Sequence, residues 1–259
     1  LEGSKPGDKR LELIKLQDAK PYIKQAIELG VKQLSFTGGE PFLAKDLVSI
    51  LQLAAEHAPC LVLTNGTSVL QKRIRQLDVL HDCKYPVSFR VSLDSADSAT
   101  HDIGRGEGMF ASALKGMKML NDRGFAVSLA RHMEDGEDTA VVEARYRAVL
   151  KAHGLPEDIK FVAFPDFLPP GSIGHGPDIT AHCMTEYHTE ATRRSFMCAF
   201  SKMIVKQKGR MRVYACTLVD DDPEYDLGAD LQGALKQRIS MRHHRCFSCF
   251  KYGSSCSEA

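Results

Sequence analysis

The sequence lacks a surplus of charge of either sign, because its 259 residues carry 34 lysines and arginines against 33 aspartates and glutamates. This balance argues against a polyanionic partner such as nucleic acid and against a membrane-surface role. The sequence also has no apolar run long enough to span a bilayer and no secretory signal pattern. It contains no internal repeats and no low-complexity tracts. We therefore expect a cytoplasmic enzyme domain without nucleic-acid or membrane partners.

Cysteine, in contrast, is well represented and unevenly distributed. The chain has eight cysteines, and five of them lie between Arg193 and Ala259. Without a signal peptide they indicate a reducing compartment, where clustered thiols bind metal more often than they form disulfides. The length allows one large α/β core and a small appendage.

From Pro21 to about Phe164, helical and strand patterns alternate along the chain. The predicted helices are Asp18–Leu29, Asp46–His57, Ser68–Leu77, Phe110–Asp122 and Ala140–Lys151. The predicted strands are Gln33–Phe36, Cys60–Thr64, Val87–Leu93, Phe125–Ala130 and Lys160–Ala163. Strands that alternate with helices of this size predict an α/β fold with a parallel sheet, which right-handed crossovers curl toward a barrel.

The third predicted strand alternates between apolar and polar residues. One face carries Val87, Phe89, Val91 and Leu93, and the other carries Ser88, Arg90, Ser92 and Asp94. Strands of a parallel sheet that are covered on both faces are usually apolar throughout. The polar face therefore predicts a wet or ligand-filled cavity. The alternative is an exposed edge strand, against which the central place of this strand in the series argues.

The most informative segment is Thr37-Gly38-Gly39-Glu40-Pro41, which follows the first predicted strand. The two glycines carry no Cβ, so a ligand can approach bare backbone there. Pro41 disfavours helical geometry at Glu40, which fixes the direction of the Glu40 carboxylate. A fixed carboxylate beside open backbone groups suits an ammonium group, whereas a phosphate site would use Lys or a glycine-rich helix start. An isolated Gly-Gly-Glu could also be an ordinary strand-to-helix turn.

Two further strand ends carry polar residues. Asn65 follows the second predicted strand, Ser92 and Asp94 lie at the end of the third, and Arg105 comes shortly after it. In folds of this kind, ligands bind at the C-terminal ends of the strands. A hydroxyl and a carboxylate suit ribose hydroxyls, and a guanidinium forks onto a carboxylate. Asn65 taken singly could equally be a turn residue.

The Thr-Gly-Gly-Glu-Pro segment after a strand resembles the motif of radical S-adenosylmethionine (SAM) enzymes, where it holds the methionine amino group of the cofactor. The resemblance extends through Phe110 and implies a partial (β/α)6 barrel. It implies that Gly38, Gly39 and Glu40 contact the amino group of the cofactor. It further implies that Asn65 belongs to the cofactor site, that Ser92 and Asp94 face its ribose and sulfonium side, and that Arg105 binds its methionine carboxylate.

The resemblance also implies the chemistry. An external one-electron reductant would supply an electron to a reducing [4Fe–4S] cluster. The cluster would then cleave the cofactor to a 5′-deoxyadenosyl radical, which abstracts a hydrogen atom from a substrate. One departure from the family stands out, because its Cys-x-x-x-Cys-x-x-Cys motif does not occur in this sequence. The chain begins with Leu1 rather than Met, so we expect the first strand and the cluster loop to lie upstream.

A second metal constellation is present near the C-terminus. Cys198, Cys216, Cys246 and Cys249 supply four thiols around a predicted hairpin of Ala199–Gln207 and Met211–Tyr214, followed by a predicted helix Leu231–Ser240. Four sulfurs suit zinc, and they equally suit a [4Fe–4S] cluster. Spacing alone does not choose between the two. Behind a radical-enzyme barrel, the arrangement resembles the Twitch variant of the SPASM auxiliary-cluster domain, which favours iron–sulfur.

The predicted organisation has three parts. Residues 1–165 form the partial barrel, residues 166–192 form a connector rich in proline and glycine, and residues 193–259 form the auxiliary-cluster domain. Cys183 lies in the connector, which we expect to pass over the barrel mouth, so Cys183 is a candidate catalytic residue in contact with substrate. Cys60 is expected to be a core thiol, and Cys256 could extend the cysteine pattern.

Three functions follow as hypotheses. The first is radical SAM oxidation of a small molecule, because a single four-cysteine cluster resembles the small-molecule dehydrogenase branch of the family. The second is a radical SAM maturase that acts on a ribosomal peptide or protein. The third is a non-catalytic zinc-ribbon binding protein, in which the basic run from Arg242 to Arg245 would bind an anion or a partner.

Overall fold

The computed structural model describes residues 10–133, 136–164 and 178–252. The chain divides into two compact units, one of residues 15–164 and the other of residues 1–14 together with 165–259. Cys256 and the proline- and glycine-rich stretch 165–177 lie outside the described residues. Within the described residues, no helix is both long and apolar enough to cross a membrane.

The unit of residues 15–164 is built on a parallel sheet of five strands, which confirms the predicted α/β fold. The strands lie side by side in chain order, β1-β2-β3-β4-β5, and every neighbouring pair is parallel. Their bounds are Leu34–Phe36 (β1), Cys60–Thr64 (β2), Val87–Ser92 (β3), Val127–His132 (β4) and Phe161–Phe164 (β5). Because β3 has two hydrogen-bonded neighbours, the alternative of an exposed edge strand is wrong.

The two faces of β3 differ as the alternation predicts. Phe89, Val91 and Leu93 are fully buried in the core. On the polar face, the Ser88 hydroxyl donates to the carbonyl of Cys60, and the long side chain of Arg90 is also buried. On this polar face Arg90 is buried, whereas Ser88, Ser92 and Asp94 are each partly exposed.

Six α-helices accompany the sheet: Leu16–Glu28 (α1), Leu47–Ala55 (α2), Ser68–Arg73 (α3), Ser98–Arg105 (α4), Met109–Asn121 (α5) and Thr139–Ala152 (α6). Helix α5 shows why such segments are helical, because its buried residues recur every three or four positions and form one apolar stripe. The predicted helix Ser68–Leu77 ends earlier, at Arg73, where a 3-10 helix, Ile74–Asp82, continues. Helix α4 was not predicted; Asp97 caps its start and Gly106, with a φ of +108°, follows its end.

Within residues 10–14 and 178–252, the second unit consists of short helices and one hairpin. The helices are Ala181–Glu186 (α7), Glu190–Arg194 (α8), Met197–Phe200 (α9), Leu231–Leu235 (α10) and His244–Tyr252 (α11), and the antiparallel strands are Met203–Gln207 (β6) and Arg210–Tyr214 (β7). Lys208 and Gly209 both have positive φ, as a two-residue hairpin turn requires.

Two predicted elements of this unit are shorter than expected. The first strand of the hairpin begins at Met203 rather than Ala199, because residues 197–200 form α9. The predicted helix Leu231–Ser240 ends at Leu235, and Met241 further on pairs with Ile179 in an isolated antiparallel bridge. Residues 10–14 also belong to this unit, where Arg10 donates to the carbonyl of Asp220 at 2.6 Å.

Candidate functional site

The C-terminal ends of β1, β2 and β3 lie next to one another because the three strands are parallel neighbours. Four predicted site residues on or just after these strands form one hydrogen-bonded set, which we call the strand-end site: Glu40, Asn65, Asp94 and Arg105. The structure therefore brings together residues that are up to 65 positions apart in sequence.

Glu40 is a buried carboxylate that joins the end of β1 to the end of β2. Its backbone is extended, with φ −151° and ψ 109°, as Pro41 predicts. Oε1 accepts from the Phe42 amide at 3.1 Å, and Oε2 accepts from the Asn65 amide at 2.9 Å. The Thr64 hydroxyl lies within 3.0 Å of both oxygens. Burial raises the pKa of Glu40, and the hydrogen bonds from Phe42, Asn65 and Thr64 oppose that shift.

These contacts modify the role expected for Glu40. Its carboxylate points at protein donors, so its first function in this structure is to connect two strand ends. The neighbouring glycines remain open, because a Cβ built on Gly38 or Gly39 would meet no atom within 4 Å. Bare backbone is thus open to a ligand at Gly38 and Gly39, and a contact between Glu40 and the amino group of a ligand stays a prediction.

Asn65 bridges the ends of β1 and α4. Its Nδ2 donates to the Gly39 carbonyl at 2.8 Å, and its Oδ1 accepts from Arg105 Nη1 at 2.6 Å. The turn that presents Asn65 depends on Gly66, which has a φ of +69°. Helix α5 comes very close there, since a Cβ built on Gly116 would lie 1.8 Å from the Gly66 carbonyl oxygen.

Asp94 and Arg105 form a two-pronged ion pair. Arg105 Nη2 donates to Asp94 Oδ1 at 2.7 Å, and Arg105 Nε donates to Asp94 Oδ2. Burial alone would raise the pKa of Asp94, but the hydrogen bonds and positive charge of Arg105 outweigh burial and lower it. With the bond to Asn65, these contacts use three of the five N–H donors of the guanidinium, so two remain for a ligand.

Two histidines that sequence reasoning did not assign flank Asp94. His101 is buried, and its Nδ1 accepts the amide N–H of Asp94 at 3.1 Å. His132, the last residue of β4, is half-exposed, and its Nε2 lies 3.9 Å from Asp94 Oδ1. Burial lowers the pKa of both imidazoles, and the Asp94 charge opposes the shift. In the sequence, the one signal for His132 is its place at the C-terminal end of a strand. The predicted strand ended two residues earlier, at Ala130, so His132 was not recognised as a site residue.

The strand-end site has the properties of a place that accepts an amino-acid-like ligand. Among the described residues, the buried hydroxyl oxygen of Thr37 has no hydrogen-bond partner. It precedes the open backbone of Gly38 and Gly39, and Arg105 keeps two unused donors in the same set. Ser92, half-buried, is the last residue of β3. Ammonium, carboxylate and hydroxyl groups of one ligand could be held by these residues without rearranging the Asp94–Arg105 pair.

The second unit brings the four predicted cysteine ligands to one cavity, which we call the four-cysteine pocket. Cys198 lies on α9, Cys216 follows β7, and Cys246 and Cys249 are three residues apart on α11. All four line the cavity together with apolar side chains and Arg245. The three-residue spacing of Cys246 and Cys249 places both thiols on one face of α11. The sequence did not predict a helix in this segment.

The four thiols are near one another but do not form a ready single-ion site. Within the described part of the chain, no three His, Cys, Asp or Glu side chains are placed so that they could hold one metal ion. A tetrahedral zinc needs four sulfurs at about 2.3 Å from one point. Four thiols around one cavity are a donor set that suits a [4Fe–4S] cluster as well as zinc.

The electrostatics of the pocket favour neutral thiols when no metal is bound. Burial raises the pKa of Cys216 to about 12 and that of Cys246 to about 11, and neighbouring thiols contribute to both shifts. The Tyr225 hydroxyl is hydrogen-bonded to Cys246 and also accepts the amide N–H groups of Arg242 and His243. Neither Tyr225 nor its role beside the pocket carries a recognisable signal in the sequence.

Cys183 lies in α7, away from the other cysteines in sequence. Its Sγ is 3.2 Å from the Thr180 hydroxyl, and this hydrogen bond lowers the pKa of the Cys183 thiol. The structure gives Cys183 a local capping partner, and its contact with substrate stays a prediction. Cys60 is a buried thiol in β2, as expected for a core residue.

Comparison with known proteins shows several related chains. AlbA of Bacillus subtilis (strain 168), described as an antilisterial bacteriocin subtilosin biosynthesis protein, is 33% identical over 122 residues, which are 46% of this chain and 27% of AlbA. The mycofactocin maturase MftC of Mycolicibacterium smegmatis is 27% identical over 142 residues, covering 52% of this chain and 35% of MftC. A GTP 3′,8-cyclase of Actinobacillus pleuropneumoniae is 26% identical over 167 residues, covering 63% and 43%. This chain thus matches less than half of the length of each of these relatives.

Solved structures support the fold. The structure described as "Native anSMEcpe with bound AdoMet" has a TM-score of 0.56 at 13% identity, covering 87% of this chain and 72% of that chain. A related structure with a bound Kp18Cys peptide has a TM-score of 0.54 at 14% identity, covering 85% and 71%. The family model of the Radical SAM superfamily matches residues 3–138, which include the whole strand-end site. The chain therefore belongs to the radical SAM superfamily.

Proposed function

We propose that this chain binds SAM at the strand-end site and that it acts as a radical SAM enzyme, which abstracts a hydrogen atom from its substrate. Members of the superfamily are enzymes that use SAM and [4Fe–4S] clusters. The single observation that supports this placement is the hydrogen-bonded set of Glu40, Asn65, Asp94 and Arg105 at adjacent strand ends. When bound, the cofactor and a reducing cluster supply the radical that removes the hydrogen atom.

Each residue of the site has a distinct proposed task. The open backbone of Gly38 and Gly39, with the unpartnered Thr37 hydroxyl, receives the amino group of the cofactor. The two remaining donors of Arg105 bind its carboxylate, and Asp94 keeps the guanidinium in the required orientation. Ser92 faces the ribose. Glu40 holds the two strand ends in register, so that these groups stay at the spacing that the ligand needs.

We further propose that the four-cysteine pocket holds an auxiliary [4Fe–4S] cluster. All four thiolates come from this chain, so the cluster would be closed, without an open iron for substrate. A closed cluster acts by electron transfer or as a structural centre. In an oxidation, the substrate radical that remains after hydrogen abstraction must lose one more electron, and such a cluster could accept it. Anaerobic reconstitution followed by iron, sulfide and zinc analysis tests this assignment, and one zinc without iron would contradict it.

The substrate class has two candidates. One relative is named for bacteriocin biosynthesis and another is named a maturase. These names favour a ribosomal peptide or protein as the substrate over the small molecule expected from sequence. The GTP 3′,8-cyclase relative keeps a small-molecule substrate as the second candidate. A gene for a short cysteine- or glycine-rich precursor next to this one would favour the peptide, and assay with that peptide would decide.

The decisive experiment for the general reaction is product analysis. The sequence itself contains no Cys-x-x-x-Cys-x-x-Cys motif, so the test uses the full product of the gene. After anaerobic reconstitution, incubation with SAM and dithionite should release 5′-deoxyadenosine. The Arg105→Lys variant should release much less, whereas replacement of Arg123, which pairs with Asp78 outside the strand-end site, by Lys should have no effect. A fully iron-loaded protein that releases no 5′-deoxyadenosine would contradict the proposed function.

A further inference from the structure

Lys202 is a cation beside the four-cysteine pocket that the sequence did not single out. It lies between α9 and β6, and its Nζ donates to the carbonyl of Cys198 at 2.7 Å and to the carbonyl of Ser201 at 3.0 Å. The side chain is partly buried. Burial lowers the pKa of the Lys202 ammonium, and the nearby thiols of Cys198 and Cys216 oppose that shift. Two of the four proposed cluster ligands therefore share one ammonium neighbour.

Lys202 and Arg245 are both cations close to the pocket, but they differ in whether a carboxylate lies beside them. Arg245 lines the cavity, but its Nη1 lies 3.2 Å from Asp221 Oδ1, so a carboxylate offsets its charge. Within the described segments, Lys202 has no carboxylate within 4.0 Å, and its two hydrogen-bond partners are neutral carbonyls. Lys202 thus contributes a net positive charge to the surroundings of the pocket.

Such a charge has a defined effect on a cluster. A [4Fe–4S] cluster held by four thiolates has a net charge of about −2 when oxidised and about −3 after it gains one electron, and cluster potentials depend on net charge and burial. A nearby ammonium stabilises the more negative state, and partial burial strengthens that attraction because the local dielectric is low. We propose that Lys202 raises the reduction potential of the auxiliary cluster and thereby makes it a better electron acceptor. This inference rests on the auxiliary cluster of the proposed function.

A purely structural role for Lys202 makes a different prediction. The two hydrogen bonds from Nζ could simply hold the turn that presents Cys198. In that case, any side chain that donates to the same carbonyls would preserve both the cluster and its potential. Lys202→Gln keeps a donor and removes the charge, whereas Lys202→Arg keeps the charge and changes the geometry of the donors. The exposed Lys236 of the same unit provides a matched control, Lys236→Gln.

The test is a mediated redox titration of the reconstituted 259-residue chain, monitored by visible absorption and electron paramagnetic resonance, with dithionite as the electron source. Because this sequence has no Cys-x-x-x-Cys-x-x-Cys motif, the titrated signal belongs to the auxiliary cluster. We expect Lys202→Gln to bind as much iron as the wild type and to show a more negative midpoint potential. Lys202→Arg and Lys236→Gln should stay close to the wild type.

Three results would overturn the inference. In the first, Lys202→Gln has full iron content and an unchanged midpoint. In the second, Gln and Arg shift the midpoint equally, which would assign the effect to hydrogen-bond geometry. In the third, both variants lose their iron, which would make Lys202 a structural residue. Failure of the auxiliary cluster itself is recognised separately, because the wild-type chain would then bind no iron.

Discussion

Arg105 donates to both carboxylate oxygens of Asp94, with Nη2 to Oδ1 at 2.7 Å, and the same guanidinium reaches Asn65 Oδ1 at 2.6 Å. The sequence resemblance placed Asp94 at the ribose and sulfonium side of the cofactor and Arg105 at its methionine carboxylate. The structure shows that they also form one unit, in which Asp94 orients the guanidinium. Any variant of one residue is therefore expected to affect the task of the other.

Replacement of Arg105 by Lys should weaken SAM binding even though the charge is kept. A lysine ammonium does not have the planar, two-pronged arrangement of donors of a guanidinium. It therefore cannot make paired hydrogen bonds to Asp94 or to the carboxylate of the ligand. Hydrogen bonds to charged groups are worth roughly 1.5–3 kcal/mol, which corresponds to a loss of affinity of about 10- to 100-fold. Equilibrium dialysis with labelled SAM measures this loss. Equal affinity of the wild type and Arg105→Lys would contradict the assignment of Arg105.

Replacement of Glu40 by Gln should destabilise the sheet unit. The Glu40 carboxylate only accepts, and its oxygens receive the amides of Phe42 and Asn65. A Gln amide would turn an NH2 group toward one of these donors and leave buried groups unsatisfied, at a cost of about 1–3 kcal/mol. Urea unfolding of Glu40→Gln measures this loss, with the exposed Glu56→Gln as the control. A stability equal to that of the wild type would show that the Glu40 contacts are dispensable.

Replacement of Gly116 by Ala should disturb the strand-end site through the neighbouring Gly66 turn. The new Cβ would lie 1.8 Å from the Gly66 carbonyl oxygen, and both partners are backbone. The helix must shift away from the Gly66 turn, which moves Asn65 and costs about 1–3 kcal/mol as in other overpacked cores. Thermal unfolding and SAM binding should both decline. Gly104→Ala, which meets no atom within 4 Å, is the control and should not lower stability.

His101 should make the stability of the protein depend on pH. Burial depresses the pKa of His101 below its usual 6.5 in the folded state. The contribution of the neutral imidazole is therefore fully present above pH 6.5 and is lost as the pH falls through the folded pKa, because the unfolded chain binds the proton more readily. In His101→Asn, an amide oxygen can still accept the Asp94 N–H, but no proton is taken up.

Urea unfolding between pH 7.5 and pH 5.5 checks this prediction. The wild type should lose more stability over this range than His101→Asn. Asp94, Asp102, Arg105 and His132 face His101 and are present in both proteins, so the comparison isolates the effect of the His101 imidazole. An equal loss in the two proteins would show that His101 does not couple protonation to folding.

Loss of one thiolate from the four-cysteine pocket should separate hydrogen abstraction from oxidation. In Cys246→Ala or Cys198→Ala, the strand-end site is unchanged, so 5′-deoxyadenosine should still form. Oxidised product should disappear, because the auxiliary cluster that accepts the second electron is lost. Quantification of both products, with iron content and a thermal unfolding curve for each variant, makes the test. Normal product from a folded variant without auxiliary iron would eliminate the electron-acceptor role.

The local pattern of the sequence was sufficient for the α/β fold. Periodicities of two and near 3.6 predicted the five strands of the sheet and helices α1, α2, α5 and α6 within a few residues, because both periodicities depend on near neighbours along the chain. The Thr-Gly-Gly-Glu-Pro segment was sufficient for the family, and four cysteines in a late segment were sufficient to predict a metal-binding region. These features need no knowledge of which distant residues meet.

Contacts between distant residues were decided only by the tertiary structure. Whether Glu40 faces a ligand or the Thr64 hydroxyl depends on the neighbouring strand end, which lies 24 residues away. The depressed pKa of His101 depends on the burial of its imidazole beside Asp94. Lys202 became notable only when folding placed it beside two thiols without a carboxylate. Burial and electrostatic interactions depend on all neighbours in space, and many of those neighbours are distant in sequence. They could therefore be assigned only from the folded structure.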